Sequence, residues 1–138
     1  MRTTPIAVMV LAAGMLLSAC ASEEPSILDR ERVASDELPV AFRVSDEAGY
    51  RADSSRLVGD DGGRSYYVAE GDPVGFCLLI VDHDDDDALL TACGSRLPVS
   101  ATVDGVHAEL WPRSVPDDGE GEIIGGVLRV TRVDPSSS

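Results

Sequence analysis

Lysine is absent from this chain, histidine occurs twice, and aromatic side chains make up 4% of the residues. With no lysine, 11 arginines stand against 25 acidic residues, for a formal net charge of −14. Nucleic acid binding requires positive charge to neutralise phosphates, so that class of partner is excluded. Anionic lipid headgroups would repel the chain for the same reason. One Trp, three Tyr and two Phe do not make a carbohydrate-stacking platform. His83 and His107, the two histidines, are too few for a zinc site without added carboxylates or thiolates. No Gly-x-Ser-x-Gly nucleophile elbow occurs in the sequence, and nothing marks a cofactor site. The expectation is a cofactor-free, non-enzymatic protein with at most one folded domain in its 138 residues.

What is present begins at the N-terminus. Met1 and Arg2 precede a short apolar run over residues 6–17. At 12 residues by that numbering it falls short of the roughly 20 needed to span a bilayer, and it has the proportions of a removable secretion signal. The run ends in Leu17, Ser18, Ala19 and Cys20. An aliphatic residue, two small ones and a cysteine resemble the lipobox of bacterial lipoproteins. The resemblance implies cleavage after residue 19, acylation of Cys20, and attachment to the outer face of the cell membrane through lipid. Loss of Arg2 with the signal makes the mature chain one unit more acidic. The excess of carboxylates then serves solubility or the attraction of a basic partner, such as an envelope protein. If Cys20 carries lipid, Cys77 and Cys93 remain as a pair in an oxidising compartment, the arithmetic of one disulfide.

Residues 20–39 read as the lipidated cysteine and an acidic, disordered tether. Glu23, Glu24, Pro25, Asp29, Glu31, Asp36, Glu37 and Pro39 leave little apolar surface to bury. As a coil this stretch would reach roughly 25 Å from the anchor. Residues 40–134 change character, with short apolar runs separated by Gly, Asp and Pro, and read as a small all-β domain. A first strand is expected over 41–44 and a last one over 123–130, with 135–138 as a disordered tail. The architecture expected is a small antiparallel meander, sandwich or open barrel with one disulfide-linked hairpin.

Two hairpins can be placed in register. Centring a loop on Asp85 sets Cys77 opposite Cys93, Leu79 opposite Thr91 and Val81 opposite Leu89. Directly opposed side chains lie close enough for a disulfide. Both faces of this hairpin are apolar, so it is expected to lie centrally, covered on both sides. The second hairpin turns at Asp104-Gly105, a strong two-residue turn signal. It pairs Val103 with Val106, Ala101 with Ala108 and Val99 with Leu110 on one apolar face. Ser100, Thr102, His107 and Glu109 fall on a wet face.

The sharpest polar cluster is Asp82-His83-Asp84-Asp85-Asp86-Asp87 at the tip of the first hairpin. Asp82, Asp84 and Asp86 alternate as weak ligands for a hard cation such as calcium would. The run departs from a calcium-binding hand, with Asp87 where glycine and Cys93 where glutamate would stand. The ordinary explanation is a solvated, self-repelling loop tip. Beyond the signal, Ser55, Arg56, Leu57 and Val58, then Tyr66, Tyr67, Val68 and Ala69, then Cys77, Leu78, Ala92 and Cys93 resemble small actinobacterial lipoproteins. That resemblance implies an exported, lipid-anchored domain and carries no catalytic residue with it.

Overall fold

The computed structural model describes residues 24–43, 49–84 and 88–134. Two antiparallel four-stranded sheets pack face to face as an open sandwich. The first is a meander of β1 (Arg56–Asp60), β2 (Arg64–Glu70), β3 (Phe76–Asp82) and β4 (Ala88–Gly94). The second contains β5 (Val99–Val103), β6 (Val106–Leu110), β7 (Glu122–Ile124) and β8 (Leu128–Arg132), in the order β5-β6-β8-β7. The chain leaves β6, passes to the outer edge to form β7, and returns through β8 between the two.

Alternation along each strand fills the space between the sheets. Val58, Tyr66, Val68, Leu78 and Ile80 from the first sheet meet Val99, Val106, Ala108, Leu110, Leu128 and Val130 from the second. Each fully buried aliphatic side chain of this kind contributes about 1.5–3 kcal/mol relative to exposure. Gly59 is required where the sheet edges converge. A Cβ there would stand 2.4 Å from the Ile124 side chain, and β1 carries its register shift at this point.

Both hairpin registers agree with the expectation. Cys77 pairs with Cys93, Leu79 with Thr91 and Val81 with Leu89. Val103 pairs with Val106, Ala101 with Ala108 and Val99 with Leu110. The disulfide joins Cys77 to Cys93 across Cα atoms 4.0 Å apart. The predicted central position holds only for β3, which is buried on both faces. β4 is an edge strand, and Cys93 is exposed. Apolar alternation on both faces of a hairpin does not reveal which strand has a neighbour. The expected strand over 123–130 is instead two strands. Gly125 and Gly126, at φ of 59° and 75°, turn β7 back onto β8.

The largest departure lies before residue 40. In place of a disordered tether, residues 24–43 form short 3₁₀ turns at Ser26–Asp29, Ala34–Asp36 and Val40–Phe42. Ile27 and Leu28 of the first turn pack against the inter-sheet cluster, and the later turns cover the outer face of the first sheet. Leu38 is fully buried there with Tyr50, Tyr67, Ala69, Cys77, Leu79 and Val81, and Phe42 packs against the same cluster. Pro25 and Pro39 precede two of the turns with φ already fixed for them. The turn at Val40–Phe42 replaces the strand expected over 41–44. Its end is held by the Tyr50 hydroxyl donating to Phe42 O at 2.9 Å and by Arg43 Nε donating to Leu38 O.

Asp36 explains why so acidic a segment stays down. Its side chain is fully buried, yet all its lone pairs are used. Arg30 donates from both Nη atoms at 2.6 and 2.5 Å, and the backbone N–H groups of Val33 and Leu57 donate at 2.8 Å each. The Leu57 contact ties the segment to β1. Ser55 Oγ donates to Asp36 O at 2.6 Å in the same buried site. Burial alone would raise the Asp36 pKa. The Arg30 guanidinium and the two N–H donors outweigh it and hold the carboxyl well below the ordinary range.

Candidate functional site

The strand registers sort the charges by position. At one end of the sandwich lie the β1–β2, β3–β4 and β5–β6 turns, carrying Asp60, Asp61, Asp82, Asp84 and Asp104. Glu120 and Glu122 stand beside Asp61 and Arg132 at the same end. At the other end lie the β2–β3 loop, the β4–β5 loop and residues 111–115, which carry Asp72, Arg96 and Arg113. Glu24, Glu70 and Arg51 also stand at this second end, where arginines balance the carboxylates, whereas carboxylates outnumber arginines at the first.

The acidic end is built around Arg64. This arginine opens β2 directly across from Asp82 on β3, with Nε 3.3 Å from Asp82 Oδ2 and Nη2 4.0 Å from Asp104 Oδ2. Its side chain is 15% exposed, while that of Asp104 is 74% exposed. The arginine therefore neutralises the base of the cluster and leaves carboxylates outermost. Asp61 closes the β1–β2 turn. Its Oδ1 accepts from the N–H groups of Gly63 and Arg64 at 3.2 and 2.9 Å. Its Oδ2 accepts from the Tyr66 hydroxyl at 2.7 Å. Burial would raise the Asp61 pKa, but the Tyr66 hydroxyl, the two N–H donors and Arg64 lower it on balance. Burial, and then the Asp61 contact, push the Tyr66 phenol up. Both groups keep their pH 7 charge state, and the turn is fixed to the core through Tyr66.

Of the cation candidates, Asp82 and Asp84 fall among the described residues. Asp82 already faces Arg64, and its Oδ1 accepts the Asp84 N–H at 2.9 Å as the chain turns. Asp84 is exposed, and Asp86 lies outside the described residues. Among the described residues no group of three or more His, Cys, Asp or Glu side chains is placed to hold a metal ion. A cavity of about 200 Å³ nearby is lined by Asp82, Asp104 and the apolar Ile80, Leu89, Leu90 and Val103.

The two histidines stand apart, His83 in the β3–β4 turn and His107 on β6. His83 Nε2 lies 2.8 Å from Ser65 Oγ on β2, and the His83 N–H donates to Gly63 O at 3.0 Å. His107, on the wet face of the second sheet, has Nδ1 2.8 Å from Thr102 Oγ1 and Nε2 3.6 Å from Glu109 Oε1. The predicted wet-face group of Thr102, His107 and Glu109 is thus brought together. The Ser65–His83 contact was not anticipated from the sequence. Given the pairing of Ser65 with Val81, it is a diagonal cross-strand neighbour. The five-residue connection at 71–75 left the β2–β3 register open at the sequence level. An imidazole on a serine hydroxyl can polarise it, but acyl transfer also requires an oriented imidazole and donors for an oxyanion.

Tyr66 and Tyr67 point to opposite faces, as their adjacency requires, and both are buried, one in each apolar cluster. Neither contributes to a surface patch. Cys20 lies outside the described residues, as does everything before Glu24. Among the described residues no helix is long and apolar enough to cross a membrane. No protein-family model, no curated protein and no solved structure matches the chain.

Proposed function

We propose that the chain is an exported lipoprotein held on the outer face of the cell membrane by an acylated Cys20. On this reading its sandwich is a non-enzymatic module that presents an acidic end to a basic surface of an envelope protein. The observation that carries this reading is the segregation of charge. Glu24, four positions from Cys20, lines the same groove as the β2–β3 and β4–β5 loops. On this reading an anchor at Cys20 lies toward the end opposite Asp60, Asp61, Asp82, Asp84 and Asp104, which leaves those carboxylates directed away from the bilayer. Steering by a concentrated field of one sign raises encounter rates with an oppositely charged surface and weakens with salt. The test is membrane fractionation. The native chain is expected in the membrane fraction and the Cys20→Ser chain in the soluble fraction. Equal partitioning of the two would refute the anchor.

A second reading follows from the 2.8 Å contact between Ser65 Oγ and His83 Nε2. If this pair acts as nucleophile and base, the site is that of a small hydrolase. A fluorophosphonate probe discriminates the two. The interaction module leaves Ser65 unlabelled, whereas a hydrolase is labelled there and loses the label in a His83→Ala chain.

A further inference from the structure

The geometry points to a membrane-contacting surface on the polypeptide itself: the β2–β3 loop at Pro73-Val74, flanked by Arg96, which seats on the headgroup region of the bilayer that holds the anchor. This inference rests on the lipid anchor proposed above and adds an orientation to it.

The argument begins with chain length. The chain is already packed on the domain at Pro25, which is fully buried, so no coil spanning residues 20–39 separates Cys20 from it. The Cα atoms of Cys20 and Glu24 are at most about 14 Å apart even with the chain fully extended. Glu24 borders a groove of about 780 Å³ whose other walls include Arg51, Pro73, Val74, Phe76 and Arg96. Those residues are therefore held within a loop's width of the acylated position.

The surface there suits a lipid–water boundary. Val74 is 74% exposed at the loop tip, beside an exposed Pro73. The loop that presents it is built to hold its shape. Gly71 N–H donates to Gly75 O at 2.8 Å and Asp72 N–H to Gly49 O at 2.9 Å. Gly75, at φ 89°, passes so close to the chain that a Cβ would lie 2.4 Å from Gly94 O. An exposed valine on a braced loop keeps its apolar area available for burial at the headgroup–acyl boundary. At this end Arg51, Arg96 and Arg113 stand against Glu24, Glu70 and Asp72, with Arg51 paired to Glu70 at 2.9 Å, so charge is balanced there and the excess of carboxylates found at the other end is absent. Apolar burial at the interface adds to the hold of the acyl groups.

The experiment uses the full-length lipidated protein, purified from membranes and reconstituted into phosphatidylcholine vesicles brominated near the headgroup end of the acyl chains. Trp111→Phe with Val74→Trp places the only tryptophan at the loop, and Trp111→Phe with Asp60→Trp places it at the far end. Insertion of about 5 Å or more is expected to quench the tryptophan at 74 about twofold and leave that at 60 unchanged. Amide exchange on the unsubstituted chain is the independent check. Residues 72–76 should exchange more slowly in vesicles than in the soluble Cys20→Ser chain. Protein that floats with the vesicles yet shows neither quenching at 74 nor slowed exchange overturns the contact and leaves the anchor standing. Protein that does not float overturns the anchor, and the contact with it. Capture of an envelope protein by a photocrosslinker at 74, with no quenching, assigns the loop to a protein partner and likewise overturns the contact.

Discussion

Asp36→Ala is expected to destabilise the domain by about 3 kcal/mol at pH 7, because it removes the acceptor from several donors at once. Leu57 N–H and Val33 N–H lose their partner inside the fold, and Arg30 loses a bidentate one. The Arg30 side chain is 40% exposed and can turn to water, which moderates the loss. Asp36→Asn should be no rescue, since its amide nitrogen would set a donor against donors in a site with no other acceptor role to fill. The pH dependence has a fixed sign. The Asp36 pKa is lower in the folded chain than in the unfolded one. Its contribution is therefore complete above the unfolded value, about pH 4, and is lost as pH falls toward the folded value. Asp61 shifts in the same direction and adds to the same acid sensitivity. Urea titrations at pH 7 and pH 3 check both points. The native chain should lose stability on acidification, and the Asp36→Ala chain should lose distinctly less. Equal acid losses in the two would show that Asp36 is not a principal source.

Breaking the disulfide is expected to cost about 3 kcal/mol on the chain-entropy model for a loop of this size. The sequence separation of the cysteines is 16. Cys77 is fully buried beneath the N-terminal segment, and Cys93 is exposed on the edge strand. A reductant therefore reaches the bond from the β4 side. β3 keeps its pairing to β2 when the bond is cut, so β4 should loosen first. In a Cys77→Ala, Cys93→Ala chain the urea midpoint should fall accordingly, with amide exchange rising in Ala88–Gly94 more than in Arg64–Glu70. An unchanged midpoint would mean that packing alone sets the hairpin.

The contrast between these two sites shows what the sequence could convey. Cys77 and Cys93 were legible because a hairpin has period two, and one choice of loop centre fixes every pair along it. The same rule placed Asp104-Gly105 and the wet-face group of Thr102, His107 and Glu109. Asp36 was not legible. Composition treats a carboxylate as exposed, and a segment rich in Asp, Glu and Pro then reads as solvated. A buried carboxylate reverses that when donors arrive from elsewhere in the chain. Leu57 N–H lies 21 positions away, and nothing local to residue 36 announces it. Leu38 and Phe42 were too few to signal a buried face, yet they suffice because β3 offers an apolar outer face that must be covered. The charge segregation was hidden for a related reason. Asp60, Asp82 and Asp104 are far apart in sequence and meet only through the order of strands in two sheets.

The most direct test of the account is the intact mass of the protein extracted from membranes with detergent. The account predicts a chain beginning at Cys20, carrying the added mass of its acyl groups and two hydrogens fewer than the reduced form for the Cys77–Cys93 bond. A chain that begins elsewhere, or one that begins at Cys20 with no acyl mass, would contradict it.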